Sequence, residues 1–357
     1  MTEKLISQNQ LRSDSDDPAE QRGLKDVEEA IILTGGVGMF QYISFSLIAM
    51  GMVCGAFILY SIVYFSHVPS LLCQLNEGDP WKSCSREHAC DSSKNFAWKV
   101  DPDAFDDMTN WVSTMDLYCT DKFEMSLIGS MFFVGTFTGS FILPRAADIY
   151  GRKLLFLIGL ALYICVAIAL YFAKNLTELY VLMFLGGISE TGRYYVAYVY
   201  CVEMMPKRVQ DSTGLYIFLV FGVAMTYIAV QFWFITKDCY VNNFIAIGLA
   251  VISWVSVAIW LPESPRFLFS RKEFDKVRAV IHQIAKTNST ENNLPKDLRF
   301  EAELEEDTSR SPSDSNVNKS DNGDANSQYE TQADENLASF APQEPNVRSG
   351  SMKKLEP

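Results

Sequence analysis

An all-α membrane protein with six transmembrane helices is the fold class this sequence predicts, and three observations carry it. The middle of the chain holds apolar runs of about 20 residues, the length that crosses a hydrocarbon core of about 30 Å. The Lys and Arg residues of the short loops between these runs fall almost entirely on one side. Polar ends, residues 1–29 and 286–357, flank the apolar middle. The 357 residues are 48% hydrophobic and only 20% charged. A soluble chain of that composition would alternate apolar and polar positions to cover a core.

Taken in order, residues 1–40 read as a cytoplasmic segment. Its first 26 residues are too polar to order themselves, and Val27–Leu33 is expected as a short helix on the membrane surface. The six-helix bundle spans 41–261, with spans near 41–65, 125–143, 154–173, 179–201, 213–235 and 244–261. The first run lies too deep in the chain, and is too long, to be a cleaved signal peptide. The loops on one side carry Arg145, Arg152, Lys153, Lys207, Arg208, Arg266, Arg271 and Lys272. The opposite short loops carry Lys174 and Lys237. Positive loops stay inside, so both termini are expected in the cytoplasm, in a multi-pass protein of the plasma membrane.

The loop 66–124 therefore faces outward. Its Cys73, Cys84, Cys90 and Cys119 predict two disulfides, with three pairings open. Cys239, alone in the other outer loop, leaves a bridge between loops open as well. Residues 262–286 form an amphipathic cytoplasmic region in which Phe274, Val277, Val280, Ile281 and Ile284 share one stripe. Residues 287–357 are expected to be a disordered acidic linker or tail.

Several function classes are excluded. The net charge of −13 opposes nucleic-acid binding, which needs a basic patch. There is no Gly-Lys-Ser/Thr phosphate loop. Only three histidines occur, His67, His88 and His282, and none is spaced to a nucleophile. An enzyme is not expected, nor is a cofactor or a metal.

Three cytoplasmic motifs stand at equivalent points of the topology. Ala147-Asp148-Ile149-Tyr150-Gly151-Arg152-Lys153 joins spans two and three. Tyr200-Cys201-Val202-Glu203-Met204-Met205-Pro206 follows span four, and Pro262-Glu263-Ser264-Pro265-Arg266 follows span six. Gly38-Met39-Phe40-Gln41 opens span one, and Met115-Asp116-Leu117-Tyr118-Cys119 precedes span two. In this order, and with the cysteine-bearing loop, the chain resembles the major facilitator superfamily, and within it the organic cation and anion transporters. The resemblance covers about residues 35–285. It departs at Pro144 and Ile149, where the family pattern has Gly and a cation, and at Gln210, where the related sugar-transporter motif has Arg. The family has twelve spans and this sequence has six, so the fold resembles one half of such a transporter.

The resemblance implies a cytoplasmic gate made of Asp148, Gly151, Arg152, Glu203 and Arg266, whose charges pair in one state and part in the other. It also places Tyr194 and Tyr198 of span four where the family has aromatic residues that contact substrate. Glu190 and Arg193 stand out on physical grounds. Arg193 lies ten residues before Glu203, about 15 Å above the cytoplasmic end. A charge at that depth faces a partner or a cavity. Three residues apart on one face, the two can neutralise each other; they are expected to line the solute path or to hold the bundle.

The expected function is alternating-access transport of small organic cations or anions. The expected partners are the lipid bilayer, a small organic ion and a second half, either in a longer chain of which this is a truncation or in a second half-transporter chain; no nucleic acid is expected. The rival readings are a non-transporting receptor or scaffold and an inactive half-transporter.

Overall fold

A computed structural model describes residues 24–74, 79–91, 97–295 and 297–310. The disorder expected for residues 1–23 and 311–357 lies outside the described residues. Among the described residues, five helices are long and apolar enough to cross a membrane: Met39–Phe65, Lys122–Tyr150, Arg152–Ala169, Lys207–Ile235 and Cys239–Trp260. A sixth run follows Asn175. It consists of Leu176–Glu190, a π-helical turn Thr191–Tyr195 and Val196–Glu203. Glu190 and Arg193 interrupt its apolar sequence, which keeps it out of the five. The six are spans one to six in chain order, with this run as span four.

The spans reach further than the apolar runs suggest. Span two continues through Pro144 to Tyr150, where the sequence expectation ended it at 143. A mid-helix proline removes one hydrogen bond, and here the helix carries on past it. Gly151 stops the helix with φ +107°, a conformation that favours glycine. Spans two and four approach closely, because a Cβ at Gly135 or Gly187 would strike the opposing backbone.

The loop 66–124 holds a three-stranded antiparallel sheet, with β1 (Leu71–Gln74) between β2 (Lys82–Cys84) and β3 (Ala97–Val100). Of the three pairings left open, the structure has Cys73–Cys84 and Cys90–Cys119. Cys239 is a buried free thiol, so no disulfide joins its loop to loop 66–124. Backbone bonding joins those loops instead: the Cys239 N–H donates to the Thr109 carbonyl at 3.1 Å. Trp111 stacks on Phe65 of span one at 4.4 Å. Asn110 Nδ2 donates to the carbonyls of Tyr64 and His67 at 2.9 and 2.8 Å.

At the end of the bundle opposite that loop, Phe274–Thr287 is a helix that buries Phe274, Val277, Val280, Ile281 and Ile284. The helix Val27–Leu33 buries Val27, Ala30 and Ile31 within the protein, where a membrane-surface position was expected. The chain also stays ordered past residue 287. Leu24 and Phe300 form a parallel bridge, Phe300 stacks with Phe274 at 5.9 Å, and Glu301–Arg310 is helical. Two apolar residues in a polar stretch, Leu298 and Phe300, are fully buried, and their burial offsets part of the ordering entropy.

Candidate functional site

Among the described residues two clusters of candidate side chains emerge, one midway along the spans and one at the span ends opposite loop 66–124. The first is built on the π-helical turn of span four. Such a turn inserts an extra residue and often marks functional positions. It aims Arg193 at span one, where Gly55 leaves room: a Cβ there would fall on the guanidinium. The guanidinium pairs with Glu190 and donates to the carbonyls of Gly51, at 3.3 Å, and Met52. It lies 4.8 Å above the ring of Tyr163, whose hydroxyl donates to the Cys54 carbonyl at 2.7 Å. A buried charge needs such a set of partners.

The sequence left this pair either lining the solute path or holding the bundle. Arg193 is 1% exposed and Glu190 8%, so the bundle encloses the pair. The pair closes on itself along one helix, and the notch at Gly55 draws it inward. The tyrosines differ. Tyr194 is half-buried, edge-on to Phe221 at 5.1 Å, and Tyr198 is 37% exposed. Both reach the surface of the bundle.

The second cluster centres on Arg152, at the first residue of span three. Its guanidinium meets Asp148 at 2.9 Å and Glu203 at 3.1 Å. It also lies over the Phe267 ring at 4.8 Å. Arg152 and Glu203 are mostly buried, whereas Asp148 is largely exposed. Arg266 is not in this cluster. It pairs instead with Glu28 at 2.6 Å and donates to the Met205 carbonyl at 3.0 Å.

Two carboxylates were missed in the sequence. Glu263 Oε1 accepts the backbone N–H groups of Arg152, Lys153 and Ser264 at 3.0, 3.1 and 3.0 Å. It thereby caps span three, whose own cap position is Gly151. A Cβ at Gly151 would overlap Glu263 Oε2, so this glycine supplies both the turn and the space. An unpartnered helix start carries exposed donors and partial positive charge, and a carboxylate satisfies both. The signal was present in Pro262-Glu263-Ser264-Pro265-Arg266. Glu28 joins Arg266 to the loop after span four by accepting the Lys207 N–H at 2.7 Å. Its signal was an acid beside the buried stripe of Val27–Leu33.

Residues 80–316 match the family described as sugar (and other) transporter. The chain is 24% identical to organic cation/carnitine transporter 2 of Homo sapiens, over 82% of this chain and 59% of that protein. It is 24% identical to solute carrier family 22 member 4 of Mus musculus, over 74% and 55%. Organic cation transporter 1 of Caenorhabditis elegans is 26% identical over 55% and 33%. The chain spans little more than half the length of the first two relatives.

Proposed function

Because this chain belongs to the sugar (and other) transporter family of the major facilitator superfamily, we propose that its six spans form one half of an alternating-access path for a small organic cation. The observation that carries this reading is the Asp148–Arg152–Glu203 cluster with its Glu263 cap. It ties together the cytoplasmic ends of spans two, three, four and six through contacts that separation of those ends would break. Contacts present in one state and lost in another are what let a solute shift the balance between them. Asp148, Gly151, Arg152, Glu203 and Glu263 form the gate. Arg266 and Glu28 brace it from the neighbouring loop.

Solute meets Tyr194 and Tyr198 on the open face of span four. Their rings attract a quaternary ammonium group by the electrostatics of the π face. Glu190 and Arg193 neutralise each other and hold spans one and four together. Four of the matched relatives are named for organic cations, or for organic cations and carnitine, which supports this solute class. The second half of the path comes from six further spans in the same or another polypeptide. The loop 66–124 faces outward, both ends of the bundle face the cytoplasm, and the membrane is the plasma membrane.

Uptake of radiolabelled tetraethylammonium by cells making the protein tests the reading. Saturable uptake is expected, with Tyr198→Phe unchanged. Tyr198→Ala should raise KM by roughly 3- to 30-fold, the equivalent of about 0.5–2 kcal/mol of cation–π attraction. An unaltered KM in Tyr198→Ala removes the tyrosine from the path, and absence of saturable uptake sinks the transport reading.

A further inference from the structure

The start of span one is capped by a side chain from far along the chain. Gly38 holds the cap position of Met39–Phe65 and offers no side chain. Asn288, the residue after Phe274–Thr287, takes its place. Its Oδ1 accepts the Phe40 N–H at 2.9 Å. Its Nδ2 donates to the Thr34 carbonyl at 3.0 Å and to Gln41 Oε1 at 3.1 Å. Gln41 Oε1 in turn accepts the Gly38 N–H at 3.0 Å. A Cβ at Gly38 would overlap Asn288 Oδ1 and lie 2.5 Å from Cγ. Thr290 adds a second fastening, its hydroxyl donating to the Thr34 carbonyl at 2.9 Å.

We infer that Asn288 is a positioning residue for span one, fastening the cytoplasmic end of that span to the segment that leaves Phe274–Thr287, so that the two move together. The same helix grips span six: Gln283 Nε2 donates to the Trp260 carbonyl at 3.0 Å, and Trp260 packs on Phe40 at 5.2 Å. Span one then carries the displacement inward. Its Gly51 and Met52 carbonyls and its Gly55 notch hold Arg193. A shift of the cytoplasmic segment thus reaches mid-membrane along one helix. The functional half of this inference rests on the transport reading above; the fastening rests on geometry alone.

A double-mutant cycle on the full chain in mild detergent separates the two. Asn288→Ala and Gly38→Ala each lower the unfolding midpoint by roughly 2–4 °C. The double variant falls no further than either single, because each change removes the same contact. Additive shifts overturn the fastening. Asn288→Asp keeps the acceptor for Phe40 and should fall between wild type and Asn288→Ala, which keeps the test decisive if Asn288→Ala does not fold. Trypsin cleavage after the exposed Lys25 should be faster in both single variants. For function, tetraethylammonium uptake at equal surface amounts should show a several-fold lower turnover in Asn288→Ala with KM unchanged. Unchanged turnover overturns the positioning role even where the cycle couples. If wild-type protein shows no uptake, the transport reading fails while the cycle still decides the fastening.

Discussion

Gly55→Ala puts the mid-membrane cluster to its sharpest test. In an ordinary helix interior, Ala is better than Gly by about 1 kcal/mol. Here the new Cβ falls on the Arg193 guanidinium, which is buried and held by the carbonyls of Gly51 and Met52. Each hydrogen bond to a charged group contributes about 1.5–3 kcal/mol, so evicting the guanidinium forfeits about 3–6 kcal/mol. Glu190 sits on the same helix and can follow Arg193, so the pair itself need not break. After the propensity gain, the net loss is about 2–5 kcal/mol. Gly248→Ala is the control: it lies in span six with nothing within 4 Å of a new Cβ, and it should be neutral or gain up to about 1 kcal/mol. Unfolding midpoints in mild detergent compare the two. A Gly55→Ala variant as stable as Gly248→Ala would refute the notch.

Other consequences follow from the same geometry. Asp148→Asn should cost no more than about 0.5 kcal/mol, since Asp148 is 71% exposed and surface pairs contribute little. Glu203→Gln, at 16% exposure, should cost several times more in the same unfolding assay. Glu263→Ala leaves three backbone donors without their acceptor and should cost about 1–3 kcal/mol, whereas Glu263→Gln keeps one acceptor oxygen and should cost less. Replacing Cys73 and Cys84 together by Ser should lower outer-domain stability by about 2–5 kcal/mol, read as faster proteolysis of loop 66–124. Burial raises the Asp106 carboxyl, but hydrogen bonds from Ser70 and His67 outweigh it and hold it below its ordinary 3.8. Its contribution is therefore present above about pH 4 and lost as pH falls further. Proteolysis of the outer loop should accelerate below that point in wild type, and Asp106→Asn should abolish the change.

The six-span architecture was legible because membrane crossing is a one-dimensional constraint of length and apolarity, visible in each run. The stripe from Phe274 to Ile284 was legible for a similar reason, since helical periodicity is local. That Arg152 and Glu203 belong to one set of charges was implied by the family resemblance, while their contact came from the structure. What escaped is non-local. Nothing near Gly55 announces that it faces Arg193, and nothing near Gly38 announces Asn288. The enclosure of Glu190 and Arg193 depended on which side of span four faces inward, and the π-helical turn rotates that side in a way spacing alone does not reveal. Order past Thr287 was missed because composition averages over a stretch in which, among the described residues, only Leu298 and Phe300 are fully buried.

The ion pair of span four also bears on how the helix first enters a bilayer. A lone charge at the centre of an inserting segment costs about 2.5–3.5 kcal/mol. Glu190 and Arg193 are three residues apart on the same helix, so the segment brings its own counter-ion. It can leave the translocon as a nearly neutral rod before span one has docked. Had the counter-ion stood on another span, insertion would have had to wait for that partner. Span four is thus competent to insert during synthesis, and assembly with span one becomes a later step.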